Sequence, residues 1–270
     1  MKKLSIFLFC LYTVVVSGCQ PLPPIDPQTP QTVTTYQSIG PFKHVVVSGS
    51  MDVELEGRSP TRPNQITFIA PKEDAGTIVA TVKNGTLYLR SMEMVNLNKA
   101  AIRTRVKIPT TGMLNSIIYD GSGVLTGKNL RTHQFKLTVY SSRYVNLSGP
   151  QLDLRALEAR GNGEIIVSSI STEHLNLKSN GSTRIVLSGT AKSTDLTLAQ
   201  NSVLNARELL TQKSYTNTAD NARAEVRVVK LLNAFSSGYS NIYYYAQEPA
   251  LLNKYLRQRG SVLYFPQTVS

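Results

Sequence analysis

The chain has 270 residues, 41% hydrophobic and 17% charged, which is enough apolar material for one large domain or two small ones. Its 29 basic residues outnumber 17 acidic ones, so anionic partners are favoured. Of the two cysteines, Cys10 lies in a candidate export signal and Cys19 at its end. That distribution excludes a thiol nucleophile, a disulfide framework and Cys-ligated zinc in the remainder.

Residues 1–18 read as a signal peptide. Lys2 and Lys3 precede an apolar run from Leu4 to Val16, followed by Val16-Ser17-Gly18-Cys19, which matches the bacterial lipobox. The match implies cleavage before Cys19 and acylation of that cysteine, palmitate being the usual acyl group. The alternative, a membrane-spanning anchor, needs about 20 apolar residues, more than the run supplies. Gln20 in place of aspartate implies passage to the outer membrane, with the domain facing the periplasm or the surface. Removing Lys2 and Lys3 leaves 27 basic against 17 acidic residues, a net charge near +10. For an exported chain this points to lipopolysaccharide, phospholipid headgroups or acidic polysaccharide and away from nucleic acid. An ordinary solvated basic surface is the plain alternative.

Residues 19–32 hold the lipidation site and a segment containing Pro21, Pro23, Pro24, Pro27 and Pro30. Such a sequence favours extended polyproline conformations and serves as a tether, with a reach of roughly 40 Å at about 3.1 Å per residue. Residues 33–113 read as an irregular N-terminal part of a strand array. Phe42 to Val47, Ser48-Gly49-Ser50-Met51 and Asp52 to Glu56 form strand, turn and strand, and Asn84-Gly85 marks a two-residue hairpin. Ser91 to Ala101 suits either a loop or a short helix.

From Leu114 to Ala246 a two-strand unit repeats about every twenty residues. Its turns fall at Asp120 to Gly123, Ser141-Ser142, Arg160 to Gly163, Ser179 to Gly181, Gln200 to Ser202, Asp220-Asn221 and Ser236 to Gly238. Alternation places Ile118, Leu137, Val139, Leu157, Ala159, Leu175, Leu177, Leu196, Leu198, Leu232 and Ala234 inward before the turns. After them Val145, Leu147, Ile165, Val167, Ile185, Leu187, Val226, Val228, Ile242 and Tyr244 point inward. A unit this short cannot bury its own apolar face, so coils must stack, and the pattern predicts an all-β solenoid in preference to a sandwich or barrel. Residues 247–270 read as a C-terminal cap: a helix begun by Glu248-Pro249, with Leu251, Leu252, Tyr255 and Leu256 on one face and Gly260 ending it, then a strand from Ser261 to Phe265.

Phe42 to Leu55, Lys83-Asn84-Gly85-Thr86-Leu87-Tyr88-Leu89 and the Gly-Ser-Gly-punctuated coils from Gly121 resemble the GIN-domain family, described as auto-transporter adhesin heads. The resemblance spans roughly Tyr36 to Phe265 and implies a right-handed parallel β-helix on an exported protein, with no catalytic residues to carry over. Asn201-Ser202 and Asn221-Ala222 depart from the family's glycines, although asparagine tolerates the left-handed turn conformation.

His44, His133 and His174 lie in separate segments without metal-ligand spacing, and no Gly-x-Ser-x-Gly elbow occurs. Asp120 and Asp220 share a turn slot, but five coils would separate them by roughly 24 Å. The sequence therefore reads as a non-catalytic envelope lipoprotein that needs no cofactor or metal, a binding or scaffolding module of unknown ligand for which an anionic glycan or another envelope protein is the candidate partner. A carbohydrate-active β-helix enzyme is the alternative. The candidate ligand surface is an outward ladder of Tyr119, Tyr140, Arg160 and Lys178, where stacked aromatic and cationic side chains suit a charged sugar, ordinary cross-strand packing on a solvated sheet being the plain alternative.

Overall fold

The computed structural model describes residues 31–57, 64–92, 103–110, 113–140, 142–245 and 249–265. The lipobox, most of the tether and residues 93–101 of the segment that suits either a loop or a helix lie outside them. The described strands are β1 (Thr32–Ser38), β2 (His44–Ser48), β3 (Asp52–Gly57), β4 (Gln65–Pro71), β5 (Ile78–Lys83), β6 (Thr86–Ser91), β7 (Arg105–Thr110), β8 (Leu114–Asp120) and β9 (Val124–Lys128). They continue with β10 (Thr132–Tyr140), β11 (Tyr144–Leu152), β12 (Leu154–Gln200), β13 (Val203–Thr218), β14 (Arg223–Ser236), β15 (Asn241–Tyr245), β16 (Leu251–Leu256) and β17 (Ser261–Phe265).

These strands form a β-solenoid. Parallel pairing joins each segment to its counterpart one coil along: Val145 to Ile165, Leu196 to Thr216 and Ile242 to Val262, an offset of 20 residues in each case. Strands before the turns make a first face and strands after them a second. A third side continues the pairing, for example Thr190 with Leu210 and Thr194 with Ser214. Val145, Leu147, Ile165, Val167, Ile185 and Leu187 are fully buried, two inward residues per strand, as alternation requires.

The N-terminal coils depart from sequence order. β2 pairs with both β6 and β8, and β3 with both β7 and β9, so the coil formed first lies between two coils that come later in the chain. Antiparallel pairings of β5 with β6, β4 with β7 and β1 with β4 finish this end of the stack. The β5–β6 hairpin has the expected turn: Lys83 pairs with Thr86, and Asn84 and Gly85 carry φ of 50° and 70°. Both values suit the twist of a two-residue hairpin.

Two expectations are corrected. The segment after Pro249 is a strand, β16, whose Leu251 to Leu256 pair in parallel with Leu231 to Ser236. The free edge of β14 offers a full row of backbone partners, and this outweighs the local helix signals. The final segment is thus another coil. Within β8, Ile117 and Tyr119 are fully buried while Ile118 is 38% exposed, so the inward set is shifted by one residue. The adjacent Ile117-Ile118 pair made either phase compatible with alternation, and a one-residue slip moves every side chain to the other face.

Polar residues replace apolar ones inside the later coils. Thr216 and Thr218 occupy the inward slots paired with Leu196 and Leu198, and both are fully buried. Their hydroxyls are satisfied by other hydroxyls: Ser214 to Thr216 at 2.9 Å, Thr194 to Ser214 at 2.8 Å and Thr218 to Ser240 at 2.9 Å. A buried hydroxyl is tolerated because it is paired.

Candidate ligand-binding surface

The expected ladder does not assemble as a set of four. Tyr119 is in the core, and its hydroxyl donates to the Met51 carbonyl at 2.9 Å. Burial, and secondarily the nearby Asp52 carboxylate, pushes its pKa well above the ordinary tyrosine value. The outward residue beside Tyr140 is Asp120, with Arg160 on the other side. Lys178 is exposed on β12. Of the four residues, Tyr140 and Arg160 make a described contact. The guanidinium lies 5.7 Å from the ring centre and is held by Glu158 at 2.6 Å.

A denser aromatic and basic surface occupies the last coils. Nine of the chain's 20 Tyr and Phe residues fall between positions 215 and 265, a clustering that the sequence itself carries. On the first face Tyr215, Phe235 and Tyr255 form a continuous outward stack. Tyr215 and Phe235 have ring centres 4.8 Å apart, and Phe235 and Tyr255 lie 4.4 Å apart with planes within 7°. Tyr215 is 46% and Tyr255 51% exposed. Beside them, the Asn253 amide donates to the Asn233 carbonyl oxygen at 2.8 Å, one rung joined to the next. At the turn, the Arg259 guanidinium lies 5.3 Å from the exposed Tyr239 ring.

The second face holds an ion cluster. The Glu225 side chain, only 7% exposed, accepts from Arg207 Nε and from Arg223 Nε at 2.9 Å. Arg207 lies 4.4 Å from the Tyr245 ring centre and Arg223 4.5 Å from that of Tyr243. The hydrogen bond to Glu225 holds the Arg207 pKa above its ordinary value, so the cation is permanent. Among described residues 201–265, eight Lys and Arg stand against three Asp and Glu, so this end of the stack carries an excess of positive charge.

The spread of the histidines conceals one constellation that the sequence did not reveal. His174 Nδ1 is 2.9 Å from Ser193 Oγ, and its Nε2 is 3.3 Å from Asp195. The His174 and Asp195 side chains are 45% and 51% exposed, so water screens the pair. The Ser193 hydroxyl also donates to the Glu173 carbonyl. Acyl transfer requires aimed oxyanion donors in a shielded site, which a solvated surface trio does not provide. Among the described residues no group of three or more His, Cys, Asp or Glu is placed to hold a metal ion.

Known structures share this architecture. An adhesin-like protein from Parabacteroides merdae, described as a "putative adhesin", is 16% identical, with a TM-score of 0.71 over 88% of this chain and 97% of its own. A "putative adhesin" from Parabacteroides distasonis is 16% identical, with a TM-score of 0.69 over 88% and 98%. A "putative lipid binding protein" from the same species is 19% identical, with a TM-score of 0.64 over 88% and 98%. At these identities the likeness shows the fold. No curated protein matches the chain at a significant level. The family model "Putative auto-transporter adhesin, head GIN domain" matches residues 41–247, and the chain belongs to that family.

Proposed function

We propose that this protein is a non-catalytic, adhesin-like module of the bacterial cell envelope, anchored by a lipid on Cys19, that binds an anionic glycan through its C-terminal coils. The observation that carries the reading is the Tyr215–Phe235–Tyr255 stack, whose flat and partly exposed rings suit the apolar face of a sugar. Amides at Asn233 and Asn253 lie in the neighbouring column for hydroxyl groups, and the surplus of cations suits carboxylate or phosphate substituents.

The topology supports the same assignment. The chain enters at β1, the outermost strand of the N-terminal end. From β6 to β16 the first face has ten rungs, with β12 supplying three, so the last coil lies roughly 43 Å further along at about 4.8 Å per rung. In a lipid-anchored chain this is the end farthest from the bilayer. The outer-membrane assignment rests on Cys19 and Gln20.

The test uses full-length protein extracted from separated membranes, with binding to purified lipopolysaccharide and peptidoglycan measured at low salt. The protein is expected in the outer-membrane fraction. Wild type is expected to bind one of the two glycans, Phe235→Ala plus Tyr255→Ala to bind severalfold more weakly, and Tyr140→Ala plus Arg160→Ala to behave as wild type. Equal binding by wild type and the first variant, with both folded, would remove the aromatic face as the site. Recovery in the inner membrane would overturn the location.

A further inference from the structure

The third side of the solenoid closes the core wherever the chain crosses back from the second face to the first. Between Ser148 and Ala156, for example, it places Leu152 and Leu154 fully inside. The first coils are built differently. The crossing from Thr110 to Ser116 is shorter and contributes Leu114 as its buried apolar side chain among the described residues. β1 and β2 are joined across the same seam by Ile39 to Lys43. Among the described residues, a cleft of about 540 Å³ opens here into the side of the core. That volume is within the range of sites that enclose small ligands, roughly 300 to 1,000 Å³.

Its chemistry is one-sided. Ile39, Pro41 and Phe42 line it from one segment and Pro109, Met113 and Leu114 from another, and none of the described lining residues is acidic. Lys43 is exposed at the rim, beside His44. Backbone hydrogen bonds fix the segments around the cleft: Ile39 N–H to Asn64 at 3.0 Å, Lys43 N–H to Gly85 at 2.9 Å and Asn115 N–H to Lys43 at 2.8 Å. A pinned apolar slot of this kind avoids the ordering cost of opening a site for each ligand.

We propose that this lateral cleft takes the hydrocarbon chain of a single-chain acidic lipid, with the Lys43 ammonium at its headgroup. An apolar chain removes the exposed Met113 side chain and the half-buried Phe42 ring from water, and Lys43, the one Lys or Arg among the described lining residues, matches one negative charge. The chain enters the N-terminal end of the stack at Thr32, and from the far end of β1 Ile39 to Lys43 leads into the cleft. In an anchored chain the cleft is therefore on the end nearest the bilayer, where such lipids are found. The site is at the opposite end of the stack from the aromatic face and does not depend on it.

The experiment is photo-crosslinking in membranes from cells producing the full chain. One arm uses a diazirine-bearing palmitate and the other a diazirine-bearing lysophosphatidylglycerol, and crosslinked peptides are identified by mass spectrometry. Crosslinks are expected in peptides containing Phe42 or Met113, from whichever arm carries the natural headgroup. Met113→Glu and Lys43→Glu, both at exposed positions, should lower that yield severalfold, while a neutral diazirine-bearing long-chain alcohol should respond to Met113→Glu more than to Lys43→Glu. Far-ultraviolet circular dichroism of each purified variant checks the fold. Crosslinks spread evenly over the surface in both arms, or a yield unchanged by both substitutions, would overturn the proposal. Loss of glycan binding by the aromatic variants would leave this result unaffected.

Discussion

At the residue scale, Tyr119 shows how a side chain that looks like a ligand platform becomes part of the core. Its ring fills space between the first coils, and its hydroxyl finds the Met51 carbonyl, so burial leaves no polar atom unpaired. Tyr119→Phe is expected to cost about 1 kcal/mol at neutral pH, the usual net value of one such hydrogen bond. The pH dependence carries a clearer signature. The raised pKa keeps the folded phenol protonated when the unfolded one ionises, so above about pH 10 the native state binds more protons and stability falls as pH rises. Below that pH the contribution is fully present. Urea unfolding at pH 7 and pH 11 should show a smaller alkaline loss in Tyr119→Phe than in wild type. Equal losses would mean that Tyr119 does not carry this linkage.

At the element scale, the turns set the coil spacing by letting backbones touch. Gly163 has φ of 119°, and a Cβ there would sit 1.9 Å from the Ser142 oxygen. Gly85, in the N-terminal hairpin, has φ of 70° and open space around it. Gly163→Ala must therefore displace a neighbouring coil, whereas Gly85→Ala incurs only the conformational penalty. We expect a loss of about 1 kcal/mol at Gly85 and about 3 kcal/mol or more at Gly163, read from denaturation midpoints at constant slope. In the later coils the left-handed residues are Gln200 and Asp220, with φ of 59° and 61°, one position before Asn201 and Asn221. The Asp220 carboxylate accepts from the Gln200 N–H at 2.9 Å, and the Asn221 amide donates to Asn201 at 3.2 Å. Side-chain hydrogen bonds thus join successive turns that lack glycine.

At the scale of the whole molecule, a solenoid must end without offering its open core and last strand to another chain. At the N-terminal end the antiparallel β1, β4 and β5 serve this purpose. At the other end Lys254 takes the slot paired with the fully buried Ala234. Its ammonium lies 5.4 Å from the Tyr244 ring centre and 3.4 Å from the Val262 carbonyl, so the side chain reaches across the last coil from first face to second. An inward-pointing charge on an edge strand opposes pairing with a second copy, because stacking would bury it. The exposed Leu251, Leu256, Leu263 and Phe265 show what it guards. Lys254→Leu should convert the protein to concentration-dependent oligomers in sedimentation velocity. A variant that sediments as wild type at all concentrations would show that the lysine does not protect this end.

The twenty-residue spacing of turns and the period-two apolar runs determined the solenoid, because a strand pair with one apolar face has no stable burial except on its own copies. They also determined most of the interior: Leu137, Val139, Leu157, Ala159, Val145 and Ile165 are buried as the alternation requires. The Asn84-Gly85 hairpin was legible because that dipeptide carries its backbone preference locally. Tertiary structure decided what local signals left degenerate. Ile117-Ile118 permitted two phases of β8, and the core volume available to Tyr119 selected one. Leu251 to Leu256 permitted helix or strand, and the unpaired edge of β14 selected strand. Placement of β2 and β3 between coils that come later in the chain, and with it the open seam beside Phe42, depends on pairings between residues far apart in sequence. The aromatic face likewise arises only when Tyr215, Phe235 and Tyr255 are stacked on successive rungs, since a ladder is a property of register.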